Sequence, residues 1–452
     1  MENVDFVSEA VSDLLRKNCI IKVKCTPKVV SPLTVALNKS GKKRLILDLH
    51  ELNRYIWKAK VKFEDYKVAL TYFQGQHFMF KFDLKSGYHH IDIAEWCRTY
   101  LGFCWQGQNY VFTVLPFGLT SAPYVFTKCL RPMVKFWREH GLNIVLYLDD
   151  GWCINSTFQN TLSDAQFVFR SLREAGFLVN IEKSVFVPSQ SISWLGLCWD
   201  SSAYSISIPE RRIFELIESI DSILSNLCSV TARRLARVGG RIISMMPVIG
   251  NVARIKTRFL FRCIEARLSW DREFCLCDQA VIGELWFWKS SAVSLNTKRL
   301  CTDDLPTVVV FTDASSFACA AFTQFSEFNI FHYMWNNSEI SMSSTWRELK
   351  AIELYLIEFQ SRIQGKRVKC FTDSKCAASI VSIGSSKPHL HRLAISVFSI
   401  CARNSIDLEV QWIPRSLNTV ADSFSKIFDF DDWGVSTEFF SVCRQFVWSA
   451  FF

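Results

Sequence analysis

Two adjacent carboxylates, Asp149 and Asp150, interrupt an otherwise apolar run from Asn143 to Ile154. An Asp-Asp-Gly tripeptide between two apolar segments is typical of the turn of a β-hairpin. Most such tripeptides are simple turns, but two charges at the tip of a buried hairpin are costly unless a cation compensates them. The sequence therefore predicts a hairpin with Asp-Asp-Gly as its turn and a metal site at its tip.

A third acid, Asp83, ends an apolar stretch that reads as a strand. Three carboxylates on neighbouring strand ends can hold two Mg²⁺ ions, which take oxygen ligands and sit between protein carboxylates and substrate phosphates. Two such ions can activate an attacking 3′-hydroxyl and stabilise a leaving pyrophosphate. We therefore expect Asp83, Asp149 and Asp150 to be catalytic metal ligands.

A second set of four acids lies in the last third of the chain, where predicted strands and helices alternate as in an α/β domain. The acids are Asp313, Glu348, Asp373 and Asp422, on a strand, a helix, a strand and a helix. Taken singly, each is most simply a surface carboxylate. Four acids brought to one point would repel each other, so a pair of divalent cations is the natural reason for them. Metals there would activate water to attack a phosphodiester.

Composition limits the class of protein. The chain has 452 residues, enough for roughly three domains, and 49% apolar residues exclude wholesale disorder. The 17 cysteines are odd in number, no export signal is recognised, and no apolar run reaches the ~18 residues of a membrane span. We expect an intracellular protein, cytoplasmic or nuclear, with reduced cysteines. Zinc is not expected, since Cys275 and Cys277 form only a C-x-C pair.

A basic region extends from Thr231 to Arg267, with nine Lys or Arg against one acid, and the chain as a whole has a net charge of +9. The spacing predicts two helices, each with a basic and an apolar stripe, suited to a phosphate backbone. A solvated helix face is the alternative, but such a face normally mixes charges of both signs. The candidate nucleic-acid-binding residues are Arg233, Arg237, Arg241, Arg254, Arg258 and Arg262.

The Tyr147-Leu148-Asp149-Asp150 sequence resembles the catalytic hairpin of reverse transcriptases, and the residues around Asp83 resemble their first carboxylate motif. Four more segments follow the same family pattern in order. They are 44–53, 115–123, 176–183 and Trp194-Leu195-Gly196, the last similar to the primer grip.

The resemblance implies roles for individual residues. Arg44 with Lys42 would clamp the triphosphate of the incoming nucleotide, and Lys183 is a second candidate cation. The Tyr88 ring would clash with a 2′-hydroxyl and so select deoxynucleotides. Phe117 and Gly118 would border the nucleotide, although Phe117 stands where several retroviral enzymes have glutamine, and Lys43 stands where many relatives have an aromatic residue.

The second acid set resembles that of ribonuclease H, without the histidine that cellular enzymes carry before the last acid. The resemblance implies an α/β and α+β multidomain fold: a right-hand polymerase followed by a ribonuclease H-like α/β domain. The expected domains are fingers and palm (1–205), a basic helical thumb (206–270), a short connection (271–305), the ribonuclease H-like domain (306–430) and a tail (431–452) that continues into a longer polyprotein.

Residues 231–247 and 431–433 look most similar to tyrosine-recombinase (DIRS-type) retrotransposons, with gypsy-type elements as the alternative. The implied function is DNA synthesis on RNA and DNA templates plus hydrolysis of RNA in hybrids, with two Mg²⁺ ions, or Mn²⁺, at each site. The implied partners are an RNA template, a DNA primer, an RNA–DNA hybrid, dNTPs and other retrotransposon proteins, with no membrane. The rival interpretation is a decayed or domesticated copy that binds nucleic acid without chemistry.

Overall fold

The computed structural model describes residues 3–37, 41, 43–300, 308–324 and 330–427. The chain divides into two compact units. The first is built from the residues up to Pro209 together with Thr297–Leu300, and the second from Glu210–Asn296 and the described residues beyond 307. Lys42 and the predicted tail, 431–452, lie outside the described residues.

Helices and strands alternate along both units. The helices are α1 (Val4–Arg16), α2 (His50–Asn53), α3 (Tyr66–Tyr72), α4 (Glu95–Arg98), α5 (Ala122–Glu139), α6 (Phe158–Glu174), α7 (Glu210–Leu224), α8 (Ala232–Ser244), α9 (Met246–Ile249), α10 (Val252–Ile255), α11 (Arg258–Glu265), α12 (Gln279–Ser291), α13 (Asn337–Ile340), α14 (Ser344–Ile363), α15 (Lys375–Ile383), α16 (Pro388–Arg403) and α17 (Thr419–Phe424). The strands are β1 (Ile20–Val23), β2 (Leu33–Leu37), β3 (Lys43–Leu47), β4 (Phe78–Asp83), β5 (Gly102–Trp105), β6 (Gln108–Phe112), β7 (Asn143–Tyr147), β8 (Asp150–Asn155), β9 (Val185–Ser189), β10 (Ser191–Trp194), β11 (Leu197–Asp200), β12 (Ser205–Ser207), β13 (Val230–Thr231), β14 (Glu273–Phe274), β15 (Lys298–Arg299), β16 (Val308–Ala314), β17 (Ala318–Gln324), β18 (Ile330–Met334), β19 (Arg367–Thr372) and β20 (Asp407–Trp412).

The first unit is organised around an antiparallel sheet with the strand order β7-β8-β4-β9. Helices α5 and α6 pack against this sheet because each carries an apolar stripe at helical spacing. Phe80, Phe82 and Ile144 of the strands and Trp137 of α5 are fully or almost fully buried there. Smaller sheets have the orders β1-β6-β5, β2-β3 and β10-β11-β12-β15.

The second unit combines a helical part with an α/β part. Helices α7, α8, α11 and α12 pack together, and β13 pairs with β14. The other sheet has the order β18-β17-β16-β19-β20. Strands β16, β19 and β20 are mutually parallel, and β17 runs antiparallel to both of its neighbours, β16 and β18. Helices α14 and α16 pack against each other, and α14 covers the sheet. This sheet places the ends of β16 and β19 side by side.

The local structure differs from the sequence-based predictions at several places. The hairpin turn is Leu148–Asp149, with Asp150 and Gly151 already on β8, because Tyr147 pairs with Asp150. The stretch from 78 to 114, whose alternating apolar and polar residues are typical of strands, also contains α4 and a 3₁₀ turn. The predicted second arginine helix is broken into α10 and α11 at Lys256–Thr257. The predicted connection, 271–305, contains α12, which packs on α7 and α11.

None of the helices in the described part of the chain combines the length and apolarity that a membrane span needs.

Candidate active sites

The first candidate site lies at one end of the β7-β8-β4-β9 sheet. Asp83 is the last residue of β4 and pairs in register with Asp150, the first residue of β8. Asp149 occupies the turn before it, and its carbonyl accepts a hydrogen bond from the Leu84 amide at 3.0 Å. Leu148 has a φ of +54°, a left-handed conformation of the kind that two-residue hairpin turns use. The three predicted acids therefore share one sheet end.

Burial and mutual repulsion govern the charge of these acids. Burial, reinforced by Asp149 and Asp83, raises the pKa of Asp150 to about 6. Burial and the nearby Asp83 also raise the pKa of Asp149. The Lys183 Nζ lies 3.3 Å from the Asp83 Oδ2, so this predicted nucleotide-binding cation contacts a carboxylate in the structure. A site that raises the pKa of its acids in this way favours a bound cation.

Aromatic side chains border this site. The ring of Tyr88 is half-buried, 5.0 Å from the ring of Phe117 and 5.3 Å from that of Phe126. Burial, followed by the charge of Asp149, raises the pKa of the Tyr88 hydroxyl. Phe117 is 51% exposed, so its face is available beside Tyr88.

The loop that carries Phe117 is held by a residue that sequence reasoning did not assign. The Asn53 side chain donates to the Gly118 carbonyl and accepts from the Thr120 amide, both at 2.8 Å. Gly118 has φ of +94°, a left-handed conformation that favours glycine. Of the two residues predicted to clamp the triphosphate, Arg44 is exposed on β3. Lys42 lies outside the described residues.

A groove of about 1150 Å³ is lined in part by Leu148, which lies in the β7–β8 turn. Its lining includes five cations: Lys62, Lys128, Arg131, Lys135 and Arg138. Arg138 is held by Glu64 through two hydrogen bonds of 2.9 and 2.7 Å. This groove was not predicted from the sequence, although the three- and four-residue spacing of basic residues along α5 indicates a basic helix face.

The primer-grip resemblance falls on the β10–β11 hairpin. Leu195 and Gly196 form its turn, with φ of +48° and +71°. Trp194 is only 2% exposed and its ring packs 5.9 Å from that of Trp152. Trp194 is therefore a core residue in this structure, and the predicted nucleic-acid contact is limited to Leu195–Gly196.

The second candidate site lies in the α/β part of the second unit. Asp313 on β16, Glu348 on α14 and Asp373 after β19 each bring one carboxylate oxygen within 4.8 Å of the other two. Thr312 and Thr372 are paired in the parallel register of β16 and β19, which places the following acids next to each other. No other group of three acidic, histidine or cysteine side chains in the described ranges comes this close, the first site included.

Two acids of the second site, Asp313 and Glu348, are buried, and Asp373 is half-buried. Asp313 is 4% and Glu348 8% exposed. Burial raises the pKa of Asp313 to about 6, with a contribution from Asp373, while a 2.6 Å hydrogen bond from the Ser425 hydroxyl opposes the shift. Burial, followed by Asp313 and Asp373, raises the pKa of Glu348 well above its usual range. Ser425 was not recognised in the sequence.

Asp422, the fourth predicted acid, is not part of this close group. Its two carboxylate oxygens accept from Arg415 and Lys426, each at 2.5 Å. These two cations lower the pKa of Asp422. The structure thus brings three of the four predicted acids together and pairs the fourth with cations.

The six predicted arginines have different surroundings. Arg233 forms two hydrogen bonds with Asp271, at 2.6 and 2.8 Å, and Arg241 contacts Glu215 at 3.2 Å. Both acids lie outside residues 231–267, the segment in which basic residues outnumber acids. The surface around these two arginines therefore carries charges of both signs. Arg258 is half-buried, and the exposed members of the set are Arg233, Arg237, Arg254 and Arg262.

Residues 36–198 match the family described as "Reverse transcriptase (RNA-dependent DNA polymerase)". This range contains all three acids of the first site. The chain contains a reverse transcriptase domain.

Similar proteins extend this result. The Pol polyprotein from transposon 412 of Drosophila melanogaster is 24% identical over 412 residues, covering 89% of this chain and 31% of the relative. The Pol polyprotein from transposon gypsy of the same organism is 30% identical over 199 residues, covering 42% of this chain and 19% of the relative. The chain thus spans about a third or less of the length of these relatives.

A solved structure of a foamy viral protease-reverse transcriptase in complex with double-stranded DNA has a TM-score of 0.57 to this chain, with 19% identity. The match covers 90% of this chain and 69% of that one. A second such structure, in complex with an RNA/DNA hybrid, also gives a TM-score of 0.57, with 18% identity and coverage of 91% and 54%. The predicted fold class is confirmed, and the reverse transcriptase domain has retrotransposon Pol homologues. The tyrosine-recombinase subclass stays a prediction.

Proposed function

We propose that this chain is an RNA- and DNA-templated DNA polymerase with ribonuclease H activity that serves retrotransposon replication. One observation carries the polymerase part: Asp83, Asp149 and Asp150 meet at one sheet end inside the segment that matches reverse transcriptases. The relatives support a retrotransposon origin, and gypsy-type and tyrosine-recombinase elements are the two candidate classes.

The donor sets fit divalent cations at both sites. Carboxylate oxygens are the ligands that Mg²⁺ prefers, and burial beside like charges raises the pKa values of Asp150 and Asp313, a shift that a bound cation would reverse. Bound Mg²⁺ would activate the attacking oxygen and stabilise the charge on the leaving group at each site. Asp83, Asp149 and Asp150 would hold it at the first site, and Asp313, Glu348 and Asp373 at the second.

The residues around the first site would bind and orient the nucleic acid and the dNTP. Arg44 and Lys42 would neutralise the triphosphate, with Phe117 and Gly118 against the nucleotide. The Tyr88 ring, fixed by its packing on Phe126, would exclude a 2′-hydroxyl. The cationic groove next to Leu148 would accept the template backbone, because its lysines and arginines attract phosphates without reading sequence.

The second site supports hydrolysis of a phosphodiester rather than its formation. Its three close carboxylates are set on neighbouring strands and a covering helix, all beyond residue 198, where the reverse transcriptase match ends. Ser425 would hold one oxygen of Asp313 in place through its 2.6 Å hydrogen bond. We propose the RNA strand of an RNA–DNA hybrid as the substrate, and an intracellular setting with other retrotransposon proteins as partners.

Two isosteric variants test both activities. Asp149→Asn should abolish primer extension on an RNA template in Mg²⁺ while hybrid cleavage continues, because each set of acids completes its own site. Asp373→Asn should stop cleavage of RNA in the hybrid while DNA synthesis stays close to wild type. Primer extension and cleavage of end-labelled RNA are measured on the same preparations.

Matched controls are available in each unit. Asp164 is hydrogen-bonded to Asn155 at 2.7 Å on α6, and Asp407 lies exposed at the start of β20, so Asp164→Asn and Asp407→Asn remove a carboxylate outside the sites. Retained synthesis in Asp149→Asn would refute the polymerase assignment. A wild-type chain that binds hybrid but performs neither reaction would support the rival interpretation, a nucleic-acid-binding protein without chemistry.

A further inference from the structure

Three exposed cysteines lie together in the helical part of the second unit. The Cys275 Sγ is 3.6 Å from the Cys228 Sγ and 3.6 Å from the Cys277 Sγ. Cys275 and Cys277 follow β14, whereas Cys228 lies 47 residues before Cys275 and just ahead of β13. Only the folded chain therefore brings the third thiol to the pair.

The backbone on both sides of Cys228 and Cys275 is fixed. Val230 pairs with Phe274 on one side, and the Leu276 amide donates to the Leu227 carbonyl at 2.7 Å on the other. The two sulfurs need to approach by only about 1.5 Å to reach the length of a disulfide bond. Neighbouring chains already held by hydrogen bonds can make that adjustment through side-chain rotation.

The arrangement favours sulfur–sulfur chemistry over a metal. The three thiols do not form a group whose sulfurs all lie within 4.8 Å of one another in the described residues, so Cys228 and Cys277 each reach Cys275 but not each other. Contacts with the Cys277 and Cys228 thiols raise the pKa of Cys275 to about 11, which keeps it protonated at neutral pH. Disulfides that form in reducing compartments are usually transient and catalytic or redox-sensing.

We propose that Cys228, Cys275 and Cys277 form a thiol–disulfide redox site whose oxidant is a peroxide. The Cys228 thiolate attacks the peroxide O–O bond and becomes a sulfenic acid, releasing hydroxide. The Cys275 thiol then attacks that sulfenic sulfur, and its proton leaves with the sulfenic hydroxyl as water, which forms a Cys228–Cys275 disulfide. The hydroxide takes up the proton that Cys228 lost, so that two thiols and one peroxide give one disulfide and two waters. Attack of the Cys277 thiolate on Cys275 transfers the disulfide to the Cys275–Cys277 pair and frees Cys228 as a thiolate.

The Cys228–Cys275 disulfide would enclose residues 229–274, which include α8, α10 and α11 and the candidate arginines. Closing this loop covalently constrains the unfolding of that segment. The oxidised form would thus hold the basic helical segment more firmly than the reduced form.

The test treats the full-length protein with hydrogen peroxide, alkylates the remaining thiols and maps the tryptic peptides without reduction. A cross-link between peptides 213–233 and 273–289 is expected, reversed by dithiothreitol. The cross-link should be lost in Cys228→Ser and Cys275→Ser and should still form in Cys277→Ser. Cys376→Ser, which removes an exposed thiol on α15, is the matched control and should leave it unchanged.

Three results would overturn the proposal. One is oxidation of these thiols to sulfinic acid with no cross-link while folding is unchanged by circular dichroism. Another is a cross-link that persists in Cys275→Ser. The third is tight one-to-one binding of Cd²⁺ that each of the three serine variants abolishes, which would identify a soft-metal site instead.

Discussion

The contact between Phe82 and Gly151 makes the first site sensitive to a single methyl group. These residues are register partners on β4 and β8, immediately next to the Asp83–Asp150 pair. A Cβ on Gly151 would lie 2.1 Å from the Phe82 ring, whereas ordinary contact begins at 3.4 Å, so the groups would have to separate by about 1.3 Å. We predict that Gly151→Ala damages both the stability and the chemistry of this site.

The magnitude follows from how little room the ring has. Phe82 is 1% exposed and its ring packs edge-on at 6.0 Å against Trp137, which is fully buried. The ring cannot move away freely, so β8 is displaced and carries Asp150 with it. Overpacking of this kind costs about 1–3 kcal/mol of stability. A displacement of about 1 Å at a reacting group lowers the rate on the order of 100-fold.

Urea unfolding gives the stability, and single-turnover primer extension on an RNA template gives the rate. Gly283→Ala is the matched control, because Gly283 lies exposed on α12 with no atom within 4 Å of its added methyl group. That substitution should be neutral or stabilise by about 0.5–1 kcal/mol. In the double variant Phe82→Leu/Gly151→Ala the clash is reduced, so the two losses should be less than additive. Wild-type extension and control-like stability of Gly151→Ala would refute the reasoning.

Three other predictions concern other residues. Tyr88→Ala should admit ribonucleotides in primer extension, and unchanged discrimination between dNTPs and rNTPs would mean that the ring only packs. Burial raises the pKa of Glu284 from 4.5 to about 7, so the folded chain keeps a proton that the unfolded chain releases. Stability should therefore fall as the pH rises from about 4.5 to 7, by up to about 3 kcal/mol. Urea unfolding of Glu284→Gln should show a smaller fall over this range, because Asp150 and Asp313 still contribute, and a fall equal to that of the wild type would contradict the assignment. Replacing Arg237, Arg254 and Arg262 with alanine should lower the slope of log affinity against log salt by about 0.9 for each phosphate contact on a duplex. An unchanged slope would show that they face away from the nucleic acid.

The regular elements were the most predictable part of the fold, because periodicity is a local property. The residue pattern of 121–137 and of 345–363 is typical of a helix, and these segments are α5 and α14; the apolar run at 367–372 is typical of a strand and is β19. The hairpin turn was misplaced because the register depends on which residue takes a positive φ, here Leu148 rather than the more common glycine or asparagine. The break between α10 and α11 contains no proline or glycine, so the sequence gives no indication of it.

The candidate sites were predictable in their acids but not in the partners of those acids. Asp83 and Asp150 could be placed at strand ends from sequence alone, because apolar runs precede or surround them. The contact of Lys183 with Asp83 joins residues 100 positions apart. Arg415 and Lys426 lie near Asp422 in sequence, yet nothing in their spacing separates a cation that pairs with an acid from one that faces solvent.

Burial distinguishes Asp150 and Asp313 in the proposed sites from the exposed acids of the surface. Asp150 and Asp313 have raised pKa values for which burial is the largest cause, and neighbouring carboxylates add to it. Buried like charges cost stability, so packing alone would favour apolar residues at these positions. Asp422, by contrast, is balanced by two cations and its pKa is lowered. Acids that fold stability alone would not select therefore lie at the ends of β4, β8 and β16, where the proposed metal-dependent reactions would use them.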